Sequence, residues 1–207
     1  MTYKAAIEKA ARELRKRDPA ALAASAEVAY DGRNLLIPFL HRRYAVRFPE
    51  IEVIALDRGP QPSETDWVIL LHYLVTADGS PIAGHWVAFR DLDGGYVFEA
   101  AFLRTACEPL AEAFGSDLAG FRRGAVAIGG RRMDRTGDAA FWFQPLPRIL
   151  MACILFAADE EMPASANIVF DAAANHYLPT EDLAALGGYL ARLLVEKREM
   201  QAQAPQA

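Results

Sequence analysis

The chain has 207 residues, 53% hydrophobic and 24% charged, a length and balance that give a buried core and exclude a disordered or collagen-like architecture. Its 22 basic residues face 27 acidic ones for a net charge of -5, which argues against nucleic acid as a main partner because phosphate binding needs a net basic face. The two cysteines, Cys107 and Cys153, form no CxxC; they exclude a four-cysteine iron–sulfur cluster or covalent c-type haem held by the chain's own ligands, and they fit buried thiols in a reducing, cytoplasmic setting.

From the N-terminus, Ile7, Ala10, Ala11 and Leu14 recur at helical spacing, so the first segment reads as an amphipathic helix ending near Arg17. It lacks the apolar region of a signal peptide, and Glu8 and Glu13 argue against a transit peptide. Asp18 and Pro19 restart a helix as N-cap and first-turn residues do. Asp31-Gly32-Arg33-Asn34 is turn chemistry, and Leu35 to Ile37, Tyr44 to Val46 and Ile51 to Ala55 follow as short strands of a β-meander. Ser63 with Asp66 opens a helix whose Trp67 to Val75 stretch is almost entirely apolar and therefore buried.

Asp78-Gly79-Ser80-Pro81 ends that helix, and His85 to Arg90 reads as a short strand. One helix is expected from Tyr96 to Phe114, with Gly115 as its C-terminal glycine and Ser116 as the next N-cap, before a weaker helix reaching about Ile128. Phe141 to Phe143, Ile149 to Phe156 and Ile168 to Phe170 read as sheet strands. Thr180 opens a last helix with a leucine stripe. Helices and strands come in blocks, so the expected class is α+β: a single domain over residues 1–200 with a central mixed or antiparallel sheet packed against helices, and a frayed tail at 201–207. The longest apolar run, Ile149 to Ala158, is too short to span a bilayer, so no membrane partner is expected.

Three segments carry a family resemblance: Leu70-Leu71-His72-Tyr73-Leu74, then Gly84-His85-Trp86-Val87-Ala88-Phe89-Arg90 with Gly94-Gly95 behind it, and Asp159-Glu160-Glu161-Met162-Pro163 followed by Phe170-Asp171. In that order and spacing the chain resembles the prokaryotic domain-of-unknown-function family 3786 over nearly its whole length. Members of that family occur largely in anaerobes, and some relatives carry an added iron–sulfur domain like that of corrinoid iron–sulfur proteins. The present chain departs from those relatives in having two cysteines and no added domain. The family is uncharacterised; its company, together with the His72-Tyr73 and His85-Trp86 aromatics, suggests a corrinoid or another tetrapyrrole as a ligand class.

The leading expectation is a small-molecule binding protein. His72, Tyr73, His85 and Trp86, with Arg90 beyond them, place two imidazoles beside two aromatics, a set suited to lining a flat pocket. Each of them also reads as plain core or surface, and none of the histidines sits in an AspxHisxxGly loop. Arg131, Arg132 and Arg135, with Arg122 and Arg123 upstream and Gly129-Gly130 between, form an anion-binding candidate for a phosphate or carboxylate. The competing reading of that stretch is a solvated basic loop. No GxxxxGK[ST] and no GxGxxG accompanies it.

An alternative enzyme reading gathers Asp159, Glu160, Asp171 and His176 around a divalent metal, since mixed oxygen and imidazole donors suit Mg²⁺, Mn²⁺ or Fe²⁺. It requires Asp159 and Asp171 to converge across a strand hairpin. The bland reading of the same carboxylates is solvation of strand ends. A further alternative is an accessory protein docking on a partner enzyme. No GxSxG occurs, so nucleophilic hydrolase chemistry of that kind is not expected. Glu181 and Asp182 read as first-turn acids answering a helix dipole.

Overall fold

The computed structural model describes residues 3–202, and those residues are α+β. They gather into two compact units. One holds the chain up to His85 with Gln144–Leu150 and Asp171–Leu183; the other holds Trp86–Phe143, Met151–Phe170 and the chain from Ala184. The strands are divided between two sheets, of four and five strands, rather than gathered in one central sheet.

In the first unit, α1 (Tyr3–Leu14) buries Ala10, Ala11 and Leu14. It stops before Arg17, whose guanidinium donates to the Val75 carbonyl at 2.7 Å. Asp18 caps α2 (Pro19–Ala26), its carboxylate accepting from the Ala20 and Ala21 amides, as the Asp-Pro pair predicts. The meander follows as β1 (Ala29–Tyr30), β2 (Asn34–Phe39), β3 (Arg42–Arg47) and β4 (Glu52–Ala55), antiparallel and paired in chain order. Leu35, Ile37 and Phe39 are buried in alternation, the period-two signature of a sheet with one face in the core.

A full capping box starts α3 (Glu64–Thr76): Ser63 Oγ accepts from the Asp66 amide, and the Asp66 carboxylate accepts from the Ser63 amide. Ile69, Leu70, Leu71, Tyr73 and Leu74 are wholly buried, so the all-round apolar helix lies in the core as its composition requires.

In the second unit, β5 (Trp86–Ala88) is shorter than expected, because Phe89–Asp91 turns into a 3₁₀ segment. The expected helix from Tyr96 to Phe114 is three pieces: α4 (Gly95–Phe102), a π turn (Leu103–Cys107) and α5 (Glu108–Phe114). Pro109 offers the physical reason, since proline donates no amide to the preceding turn and crowds its carbonyl, and a widened turn relieves both. Gly115 lies at φ -58, helical rather than left-handed. Asp117, not Ser116, caps α6 (Leu118–Ala127), accepting from the Gly120 amide at 2.8 Å.

The five-stranded sheet runs β5-β9-β8-β7-β6, with β6 at Arg131–Met133, β7 at Ala139–Leu146, β8 at Ile149–Phe156 and β9 at Ser165–Asp171. The last helix, α7, spans Thr180–Ala202. Residues 203–207 of the expected frayed tail lie outside the described residues. Phe102 stacks on Phe89 with ring centroids 4.0 Å apart and meets Phe170 at 6.0 Å, while Phe121 joins Phe114 to Phe141. Leu186, Leu190 and Leu194 of α7 are wholly buried. Both cysteines are buried and free, and burial pushes the Cys107 thiol up to about 11 and that of Cys153 well upward, so both are protonated thiols at neutral pH. Among the described residues no helix is long and apolar enough to cross a membrane.

Candidate functional site

The residues of the expected ligand-binding set differ in burial and in partners. Tyr73 has no exposed surface; its hydroxyl donates to the Ala26 carbonyl at 2.7 Å and accepts from the Arg148 amide at 3.1 Å, and its ring stacks on Tyr177. That burial pushes its phenol far above the ordinary range. Tyr73 is therefore a satisfied core tyrosine. His72 is half-buried with Nδ1 2.5 Å from Asp182 Oδ2, an assignment that reading Asp182 as a dipole partner alone missed. His85 is exposed, Trp86 is exposed in β5, and Arg90 is exposed with Glu99 3.9 Å away.

Two carboxylates of the metal reading, Asp159 and Asp171, accept hydrogen bonds from backbone amides. Asp159 Oδ1 accepts from the Glu161 and Met162 amides, which hold its carboxyl below the usual carboxylate range. Glu160 is exposed beside it. Asp171, 2% exposed, accepts from the amides of Ala83, Gly84 and Ala173 at 2.7 to 3.0 Å. The β8–β9 register runs from Met151↔Phe170 to Phe156↔Ser165. Asp171 thus follows one end of that ladder and Asp159 comes after the other, so the hairpin register does not pair them. No three His, Cys, Asp or Glu side chains among the described residues form a metal-holding group.

His176 Nδ1 lies 2.7 Å from Asp78 Oδ2 and 3.1 Å from Ser80 Oγ. Acid and hydroxyl thus share one ring nitrogen, whereas a nucleophilic triad needs the two nitrogens for different partners. The pair is a surface tie. His176, with the Ser80 amide and hydroxyl, lowers the Asp78 carboxyl from 3.8 to about 2. A carboxyl depressed on folding adds stability above its unfolded value and loses it as pH falls through the folded one. The expected result is that Asp78→Asn lowers the urea midpoint at neutral pH, and that the gap from wild type closes between about pH 4 and pH 2. A gap that stays constant down to pH 2 would show that the carboxylate charge does not matter there.

The arginines do come together, in the second unit. α6 carries Arg122 on its exposed side while Phe121 anchors the other face. β6 pairs antiparallel with β7, Arg131 opposite Trp142 and Arg132 opposite Phe141. Because neighbouring strand residues point to opposite faces, Arg131 and Arg132 part company. Arg131 lies over the Trp142 ring at 4.9 Å, while Arg132 joins Arg122 and Arg135 around a pocket of about 70 Å³ floored by Phe141. Of the three expected arginines two line this pocket; Arg122 takes the place of Arg131.

The turn that closes the pocket is held tightly. Gly137 lies at φ +57 and a Cβ there would meet the Leu155 carbonyl oxygen at 2.7 Å, so glycine is required on both counts. Asp138 donates its amide to the Leu155 carbonyl at 2.9 Å and accepts from the Ala157 amide at 2.8 Å. Arg122 Nη2 donates to the Asp138 carbonyl at 3.0 Å, Arg132 Nε sits 3.1 Å from Asp134 Oδ1, and Arg135 occupies left-handed backbone at φ +61. Arg122, Arg132, Arg135 and Thr136 thus line one small cavity, alongside Asp134 and Asp138.

A family model described as a domain of unknown function, DUF3786, matches residues 18–193. The chain belongs to the DUF3786 family. No curated protein and no solved structure matches it. The DUF3786 match takes in α2 through most of α7, and with them both the Asp171 cradle and the arginine pocket.

Proposed function

We propose that this DUF3786 chain is a binding protein for a small molecule bearing an acidic group, received at the pocket of Arg122, Arg132 and Arg135. Three arginines, from a helix, a strand and a turn, line this one pocket, which supports the reading because arginine presents its donors in a fixed fork that matches oxyanions. A cavity of about 70 Å³ admits the acidic group, with the remainder of the ligand outside. The corrinoid or tetrapyrrole version has less behind it, since Tyr73 offers no surface to a ring. The divalent-metal enzyme has less again, since Asp171 already serves three amides.

Thermal melting with citrate, against chloride at equal ionic strength, tests the reading. At a hundredfold excess over its Kd a ligand of the folded state adds about 2.7 kcal/mol, which for a chain this size raises Tm by roughly 5 to 11 °C. The Arg122→Ala, Arg135→Ala double variant is expected to melt like the wild type in chloride and to lose the rise. A rise that survives the double variant places binding elsewhere, and the absence of any rise with citrate or with phosphate overturns the proposal.

A further inference from the structure

The pocket already holds a carboxylate of its own. Asp134 Oδ1 sits 3.1 Å from Arg132 Nε with both side chains about three-quarters exposed, and a surface pair of that exposure is weak. Arg122 is oriented by the Asp138 carbonyl, and Thr136 donates its hydroxyl to the Asp134 carbonyl at 3.4 Å, long enough to yield to a better acceptor. The three arginines come from three different segments, α6, β6 and the turn. A planar carboxylate has two oxygens and is matched by a single guanidinium fork. A tetrahedral phosphoryl group has three free oxygens and can meet three forks and a hydroxyl together.

Resting on the acidic-ligand reading above, we propose that the acidic group is a phosphoryl group, as inorganic phosphate or a small phosphomonoester, and that it enters by displacing Asp134 from Arg132. Three arginines against two aspartates leave a local excess of positive charge, which grows when Asp134 swings away. The resident carboxylate thus competes with the incoming anion for Arg132, and the competition is modest because the exposed pair is weak. Asp138 remains in place, because its carboxylate is committed to the Ala157 amide.

Calorimetric titration of the full chain with inorganic phosphate, glycerol 3-phosphate and acetate at matched ionic strength tests this. Phosphate is expected to bind at least about tenfold more tightly than acetate, since charge-assisted hydrogen bonds are the strong ones and phosphate makes more of them. Asp134→Asn, at an exposed position where melting should be unchanged, is expected to tighten phosphate binding about threefold by removing the competitor. Arg135→Ala should weaken it about tenfold. Glycerol 3-phosphate binding as tightly as phosphate identifies a phosphomonoester site, and glycerol 3-phosphate excluded while phosphate binds identifies a free-phosphate site; either supports the phosphoryl group. Acetate equalling phosphate overturns the phosphoryl group and leaves the acidic-ligand reading standing. Unchanged or weaker phosphate binding by Asp134→Asn overturns the displacement. No heat with any of the three anions overturns this inference and the acidic-ligand reading together.

Discussion

Asp171→Ala is expected to destabilise the folded chain by about 3 kcal/mol, because one nearly buried carboxylate satisfies three backbone amides and hydrogen bonds to a charged acceptor are the stronger kind. The three amides do not contribute equally. Ala173 is 5% exposed, so its N–H is stranded without an acceptor when the carboxylate goes, whereas Ala83 and Gly84 lie on an exposed loop and reach water once it loosens. For a chain of this length the loss corresponds to a fall in Tm of roughly 6 to 12 °C. Asp171→Asn should recover about half of it, since one oxygen remains while the new NH₂ faces an N–H. Amide hydrogen exchange gives a local readout: Ala83 and Gly84 should exchange faster in both variants. A Tm within 3 °C of wild type for Asp171→Ala would show that the carboxylate is not holding the loop. A carboxylate that only ligated a metal would leave the metal-free protein's melting unchanged on Asp171→Asn, so the same melting curve separates a structural carboxylate from a ligating one.

Phe102→Ala is expected to cost about 4 kcal/mol, the range for deleting a buried aromatic ring from a packed core. The ring is 2% exposed, lies 4.0 Å centroid to centroid from Phe89 at an interplanar angle of 11°, and closes a triangle with Phe170. Gly187 of α7 backs directly onto it: a Cβ there would sit 2.5 Å from Phe102 Cε2. Glycine in a helix interior costs up to about 1 kcal/mol relative to alanine, so the sequence gives up helix propensity at that position to admit the ring. Removing the ring leaves a cavity that two aromatic neighbours and a glycine cannot collapse to fill. Urea denaturation should show a lower midpoint with an unchanged slope, and Phe102→Leu should lose only about 1.5 kcal/mol because it keeps most of the volume. Equal effects of alanine and leucine would mean that the site relaxes freely and that the ring stacking contributes little.

Much of the local structure is legible in the chain. Asp18-Pro19 and Ser63 with Asp66 mark helix starts because capping depends only on residues within one turn, and both caps form as written. The meander from Asn34 to Ala55 is legible for the same reason, since turn residues and period-two burial are short-range signals. β6 was not, because three residues rich in arginine carry no hydrophobic pattern and become a strand only by pairing with β7. Nor was the π turn, which arises where Pro109 must be accommodated inside a continuing helix.

The site residues divide along the same line. Composition and spacing by themselves determined the fold class, the buried α3, the buried thiols and a concentration of arginines between residues 122 and 135. Which of those arginines share a pocket was decided only by strand register, because a one-residue step along β6 moves a side chain to the other face: Arg132 faces the cavity and Arg131 the Trp142 ring. Tertiary structure alone likewise separated Asp171 from Asp159, buried Tyr73 between Ala26 and Arg148, and set Asp182 against His72, 110 positions away in the chain. Backbone conformation and capping are governed by neighbours in sequence, whereas the meeting of side chains is governed by the packing of segments, which only the folded chain brings together.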